Sequence, residues 1–219
     1  MTAAEAVGRG QIGSCLVRSG ELISVNQHFG TVYRELRKIV DEDGTLTARV
    51  KALVMAAVGA ALADDLTLTR EMRRTVELGT EERPLRQLAL LMLAQRGESC
   101  YERFAAAVDL TIGPSSPPPD PLRPMRYEPS PGSRGAAGLI DELERICEHD
   151  LLTHVEHRLV LLSLAMVDGD GDGIVRHLRA AQGVGDDITE ILHELLASVA
   201  IVAGVHVSRH AVGALNQGF

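Results

Sequence analysis

Eight of the chain's nine prolines fall in one stretch, GPSSPPPDPLRPMRYEPSPGSRG, residues 113–135. Proline cannot continue a helix interior or donate to a sheet ladder. A run this dense reads as an extended surface linker. It divides the 219-residue chain into two parts of similar length, residues 1–112 and 136–219.

Both segments read as helical. Hydrophobic residues make up 45% of the chain but aromatics only 3%, and Trp is absent, so the core must be built from Leu, Val and Ala. Ala and Leu are strong helix formers that allow close helix packing. Apolar residues recur at helical spacing, with Gly stops, in HFGTVYRELRKIVDEDG, LTARVKALVMAAVGAALADD, TREMRRTVELG and PLRQLALLMLAQRG, followed by a short CYERFAAAV. After the linker come GLIDELERICEHD, LTHVEHRLVLLSLAMV, DGIVRHLRAAQGVG, ITEILHELLASVAIVAG and SRHAVGAL. No stretch alternates as a strand does, so the fold class is all-α.

The two series repeat. An offset of 106 residues lays Leu46-Thr47 on Leu152-Thr153, Leu53-Val54 on Leu159-Val160, Arg73 on Arg179, Gly79 on Gly185 and Leu85 on Ile191. It also lays Arg103-Phe104-Ala105 on Arg209-His210-Ala211. Shared helix phase alone is common; shared phase, Gly stops and LT starts together indicate an internal duplication.

The second repeat resembles the carboxymuconolactone decarboxylase family, which includes the AhpD-like peroxidases. The likeness runs through LTHVEHRLVLLSLAMV, HLRAAQGVGDDITEILHELL and AIVAGV, with His177 eight residues before Gly185 and Glu190-Ile191 following. It covers residues 151–215 well and 30–108 more weakly. It implies an all-α AhpD-like bundle of two tandem repeats that uses no cofactor. It also implies a homo-oligomer, a trimer or a dimer. The peroxidase branch needs a C-x-x-C-x-x-x-H motif, but Asp170 and Gly173 stand seven and four residues before His177. A thiol peroxidase of that kind needs two nearby thiolates and is excluded. The turn Tyr and Pro of the decarboxylase branch are Val202 and His206 here, so the substrate is not expected to be the family's namesake lactone.

The stretch DGDGDG, residues 168–173, imitates the start of a calcium loop, yet its twelfth position is Arg179 where calcium needs a bidentate acid. It reads instead as a helix connection in which Asp172 can cap the next helix. No metal is expected there. His206 and His210 are four apart, a spacing that can hold zinc, but the family offers no precedent for a metal.

Seven of the eight histidines follow the linker. The first repeat has Lys51 opposite His157, Glu71 opposite His177 and Phe104 opposite His210. The second repeat is therefore the candidate site and the first its support. His177 is the leading proton carrier, with Gly173 one turn earlier read as leaving room for a ligand. His157 and His206 are further catalytic candidates, and Arg158, Arg209, His210 and Asp172 are candidate substrate ligands. Against these stand ordinary structural roles: a surface histidine for His177, and an ion pair to Glu156 or Asp172 for Arg158. Cys147, near His149, reads as a buried thiol.

A formal net charge of −8 argues against a nucleic-acid partner, and no apolar run is long enough for a membrane span. Three scattered cysteines and no leader-like N-terminal run suggest a cytoplasmic protein. The functional expectation is a cofactor-independent lyase or isomerase acting on a small carbonyl, lactone or polyketide-like acid, with a role in bacterial secondary metabolism. The rival expectation is a non-catalytic oligomeric binding or scaffold protein on the same fold.

Overall fold

The structure, a computed structural model, describes residues 27–114, 152–181 and 188–218. Most of the proline linker, the segment GLIDELERICEHD with Cys147 and His149, and Gly185 lie outside the described residues, as does the His210 side chain.

Every described element is a helix. The first is α1, Gln27–Asp41, followed by α2 Ala48–Ala61, α3 Asp65–Glu77, α4 Glu82–Arg96 and α5 Glu98–Ile112. Then come α6 His154–Asp168, α7 Gly171–Ala181, α8 Ile188–Ala203 and α9 Val205–Gly218. The helix starts at residues 48, 65, 82 and 98 are met again at 154, 171, 188 and 205. The spacing is thus 106 residues three times and then 107. Helix α5 is longer than its apolar pattern suggested; its first two residues and Leu110, 66% exposed, carry no periodic apolar signal.

The packing recurs with the boundaries. In the first set α2 packs on α3, α4 on α5, and α3 on α5; in the second, α6 packs on α7, α8 on α9, and α7 on α9. The sets meet where α2 lies against α6 and α8. Helices α2 and α6 are the most buried: Ala52 through Val58 and Val160, Leu162 and Met166 are sealed from solvent. Each is apolar around most of its circumference, as a central helix must be. Complete burial of a Leu or Met contributes roughly 1.5–3 kcal/mol, so this seam supplies much of the driving force.

Local chemistry explains the shared starts. Thr47 and Thr153 cap α2 and α6, their hydroxyls accepting from Val50 N at 3.3 Å and Glu156 N at 3.2 Å. At α6 the Glu156 carboxylate also accepts from Thr153 N at 2.9 Å, completing a capping box. Asp64 and Asp170 cap α3 and α7, accepting from Thr67 N at 3.1 Å and Gly173 N at 3.0 Å. The cap of α7 is thus Asp170, and Asp172 sits exposed in the first turn. An acceptor must stand before the first free N–H groups to reach them, and Asp172 stands after them.

The connection before each of these helices passes through a left-handed residue, Ala63 at φ 57° and Gly169 at φ 67°. Small residues then let the helix pairs close. A Cβ on Gly59 would lie 3.0 Å from Leu68 N, and one on Gly173 would lie 3.2 Å from the Ala165 Cβ. Gly173 therefore brings α7 against α6 and under its own cap; it does not open space beside His177 as its helical spacing suggested.

Candidate functional site

The DGDGDG stretch resolves into separate tasks. Asp168 ends α6 and pairs with Arg96 at 2.7 Å, Gly169 makes the left-handed turn, and Asp170 caps α7. Among the described residues no group of three or more His, Cys, Asp or Glu side chains is arranged to hold a metal ion.

Three of the seven candidate residues come together. His157 and Arg158 project from α6 and His177 from α7, the helix packed on it. His157 is 3% exposed and His177 9%. Burial drives the His177 pKa down to about 4, because a charged imidazole would lose its hydration. The cations Arg176 and Arg158 and the His157 ring push the same way, and only Asp170 opposes them. His177 is therefore a neutral ring at pH 7. Its Nδ1 is buried with no hydrogen-bond partner among the described residues.

None of the other described candidates is among the groups acting on the His177 charge. His206 and Arg209 are exposed on α9, and Asp172 is exposed at the start of α7. Glu156, beside His157 in sequence, points elsewhere: one carboxylate oxygen serves the capping box and the other pairs with Arg49 of α2. Its carboxylate is thus committed to the joint between the helix sets.

The equivalent positions in the first set are also buried but filled with charge. Lys51 is 1% exposed and donates to Glu194 of α8 at 3.0 Å and to the Ile39 carbonyl at 2.6 Å. Glu194 also accepts from Thr45 N at 2.7 Å and Leu46 N at 3.0 Å. Burial pushes its pKa up, but the hydrogen bonds from Lys51, Leu46 and Thr45 outweigh this and hold it below the usual carboxylate value. Gly44 leaves the space this carboxylate occupies. Glu71 is wholly buried; it accepts from Arg70 Nε at 2.7 Å and Arg74 Nη1 at 3.5 Å, with Arg37 Nη1 at 3.9 Å. Arg74 in turn caps the carbonyls of Val40 and Asp41 at 3.1 and 2.9 Å. Lys51 and Arg74 so neutralise the C-terminal end of α1, where a helix favours cations. Sequence reading noted Lys51 and Glu71 only as the absence of histidine. Lys51 stands inside an apolar helical run, which was the available signal that it must be paired; Glu71 sits in a polar helix and carried no such signal.

Two of the clefts on the described surface bear on the site. One, of about 460 Å³, lies between α3 and α5 and is lined by Asp65, Leu68, Arg103 and Leu110 among others. The second, of about 230 Å³, lies where the capped starts of α2 and α6 meet, with Thr47, Arg49, Thr153 and Glu156 in its wall. Neither is lined by His157, Arg158 or His177. Among the described residues no helix is long and apolar enough to cross a membrane. A scan of the chain against protein-family models finds no matching family, and a search of curated proteins finds no match.

Proposed function

We propose that the chain is a tandem protein of the carboxymuconolactone decarboxylase and AhpD-like kind, working as a cofactor-independent lyase or isomerase on a small carbonyl or lactone compound. The recurrence of four helix starts at a nearly constant spacing supports the duplication. The observation that carries the activity is the buried neutral imidazole of His177, with an uncommitted Nδ1, in the field of Arg158. A neutral imidazole can take a proton from carbon and return it. In a lyase step the bond to a leaving carboxyl group breaks, carbon dioxide departs, and the enolate accepts a proton at carbon. In an isomerase step the proton leaves one carbon and returns at another. Arg158 stabilises the negative charge that both steps build.

The test is solvent-deuterium incorporation into a panel of small β-keto acids and lactones, followed by mass spectrometry. Wild type is expected to label the carbon beside the carbonyl, and His177→Ala to lose about a hundredfold in rate or more. Product lacking carbon dioxide marks a lyase, and isobaric labelled product an isomerase. A second reading, a non-catalytic homo-oligomeric scaffold, draws its support from the larger cleft, which lies away from the histidines and carries the exposed Leu110. No labelling by a folded wild-type oligomer across the panel would transfer the weight to it.

A further inference from the structure

The smaller cleft lies where the two helix sets meet, and the duplication shows how its walls are made. At the 106-residue spacing Arg49 corresponds to Val155, and Val50 to Glu156; all four line the cleft. One pair of positions across the joint therefore holds an ion pair, Arg49 with Glu156, and the mirrored pair holds two valines. Leu46, Leu159 and Ile191 extend the apolar side. Among the described residues the charged side chains in the wall are Arg49 and Glu156, one of each sign. Behind them Glu194 accepts from Thr45 N and Leu46 N and is itself paired with Lys51 at 3.0 Å. Asp43, before α2, accepts from Ala48 N at 2.7 Å. The hydrogen-bonding capacity of the wall is less even. Glu156 accepts from three donors: Arg49 Nη2, Thr153 N at 2.9 Å and Thr153 Oγ1 at 2.9 Å. Arg49 commits its Nη2 to this pair, while its Nε and Nη1 have no acceptor among the described residues. Thr47 Oγ1 accepts from Val50 N at 3.3 Å. With Val50 standing where the other set has Glu156, the Thr47 hydroxyl proton has no acceptor among the described residues. The cleft thus offers surplus donors beside an apolar wall, without surplus charge.

We infer that this cleft binds a small uncharged molecule with an apolar body and a carbonyl oxygen that accepts hydrogen bonds. The oxygen takes the uncommitted donors of Arg49 and Thr47, and the body lies against Val50, Val155 and Leu159. A volume of about 230 Å³ is below the roughly 300–1,000 Å³ of sites for drug-sized ligands, which limits the ligand to a single ring or a short chain. A carboxylate meets the same donors but brings a charge beside Glu156 that no further cation in the described wall offsets. A hydrocarbon displaces water from the donors and gives them nothing in return. The walls come from α2 of one set and from α6 and α8 of the other, so a bound ligand holds the sets together and stabilises the fold by linkage. His157 and His177 do not line this cleft, and the inference does not rest on the proposed activity.

The probes are acetophenone, benzoate and toluene, added to the full chain; they share a ring and differ in acceptor and charge. NMR of the side-chain methyl groups reads both affinity and location. Acetophenone is expected to shift the methyl signals of Val50, Val155 and Leu159 first, with benzoate and toluene each binding about tenfold more weakly. Val155→Phe fills the cleft from its wall and is expected to abolish binding. Arg49→Lys keeps a cation opposite Glu156 but loses the planar fork. It is expected to weaken acetophenone about tenfold and to leave toluene unchanged. Circular dichroism checks that each variant folds, and if Val155→Phe does not, Arg49→Lys decides. The inference is overturned if benzoate or toluene binds as tightly as acetophenone, or if Arg49→Lys weakens toluene as much as acetophenone. It is equally overturned if the shifts centre on the His177 ring or on the larger cleft, or if acetophenone shifts nothing up to its solubility limit.

Discussion

Helices α2 and α3 and helices α6 and α7 are built on one plan and differ most where each pair hides its polar residues. Lys51 and Glu71 carry full charges that the chain itself neutralises, through Glu194, three arginines and the end of α1. His157 and His177 occupy the same positions, and His177 avoids the cost of burial by staying neutral. A buried ion must be paired, whereas an imidazole can shed its proton. The first solution ties helices together. The second leaves a polar atom uncommitted inside the protein, which is what a site that handles protons or ligands needs.

The largest effects should come from breaking the first solution. Lys51→Met leaves Glu194 buried beside two backbone donors but without its cation, and is expected to cost about 3–5 kcal/mol, as for other broken buried pairs. Adding Glu194→Leu, which matches Leu88 of the other half, should recover most of that loss. Urea unfolding of the single and double variants measures the difference. If the double variant is no more stable than Lys51→Met, the pair is not acting as a unit.

The tie between Lys51 and Glu194 spans 143 residues, and that between Arg49 and Glu156 spans 107. Sequence periodicity shows which face of a helix is buried but not which distant face covers it. The helical frame and the 106-residue spacing of the helix starts were therefore legible, since each follows from local pattern. The partners of Lys51 and Glu156 were not. Gly173 shows the same boundary: four-residue spacing put it on the His177 side of α7, but only packing reveals Ala165 against it. His206 and Arg209 were named for their place in the last turn and helix, and they stand exposed on α9, which packs on α7.

A middle-sized effect follows from the second solution. The His177 pKa is lowered from 6.5 to about 4, so the unfolded chain binds a proton more readily than the folded one between those values. Stability contributed by the neutral ring is complete above pH 6.5, falls as pH drops towards 4, and levels off below it. The full span is worth about 3 kcal/mol. His177→Gln should flatten this decline, leaving the fall below pH 4.5 that comes from protonating Glu194, whose folded pKa is also depressed. Urea midpoints from pH 7.5 to 4 for both proteins separate the two groups. An unchanged slope in His177→Gln would mean that folding does not shift the His177 pKa and that the contrast between the halves is false.

The smallest effect tests whether the two halves share their turns as well as their helices. Ala63 and Gly169 stand at the same point of the plan, before the aspartate caps, with φ of 57° and 67°. A Cβ at Gly169 would meet nothing within 4 Å, so any penalty there is backbone strain alone. The left-handed region costs an L-residue roughly 1–2 kcal/mol, partly offset because glycine loses more freedom on folding. Ala63→Gly is therefore expected to stabilise the protein by about 0.5 kcal/mol and Gly169→Ala to destabilise it by about 1 kcal/mol. Exchanging both residues should leave the net stability close to wild type, because the strain is moved from one half to the other. Thermal unfolding of the three variants reads these differences. If Ala63→Gly destabilises instead, its methyl group has a packing role that the other half lacks, and the shared turn is a likeness of backbone only.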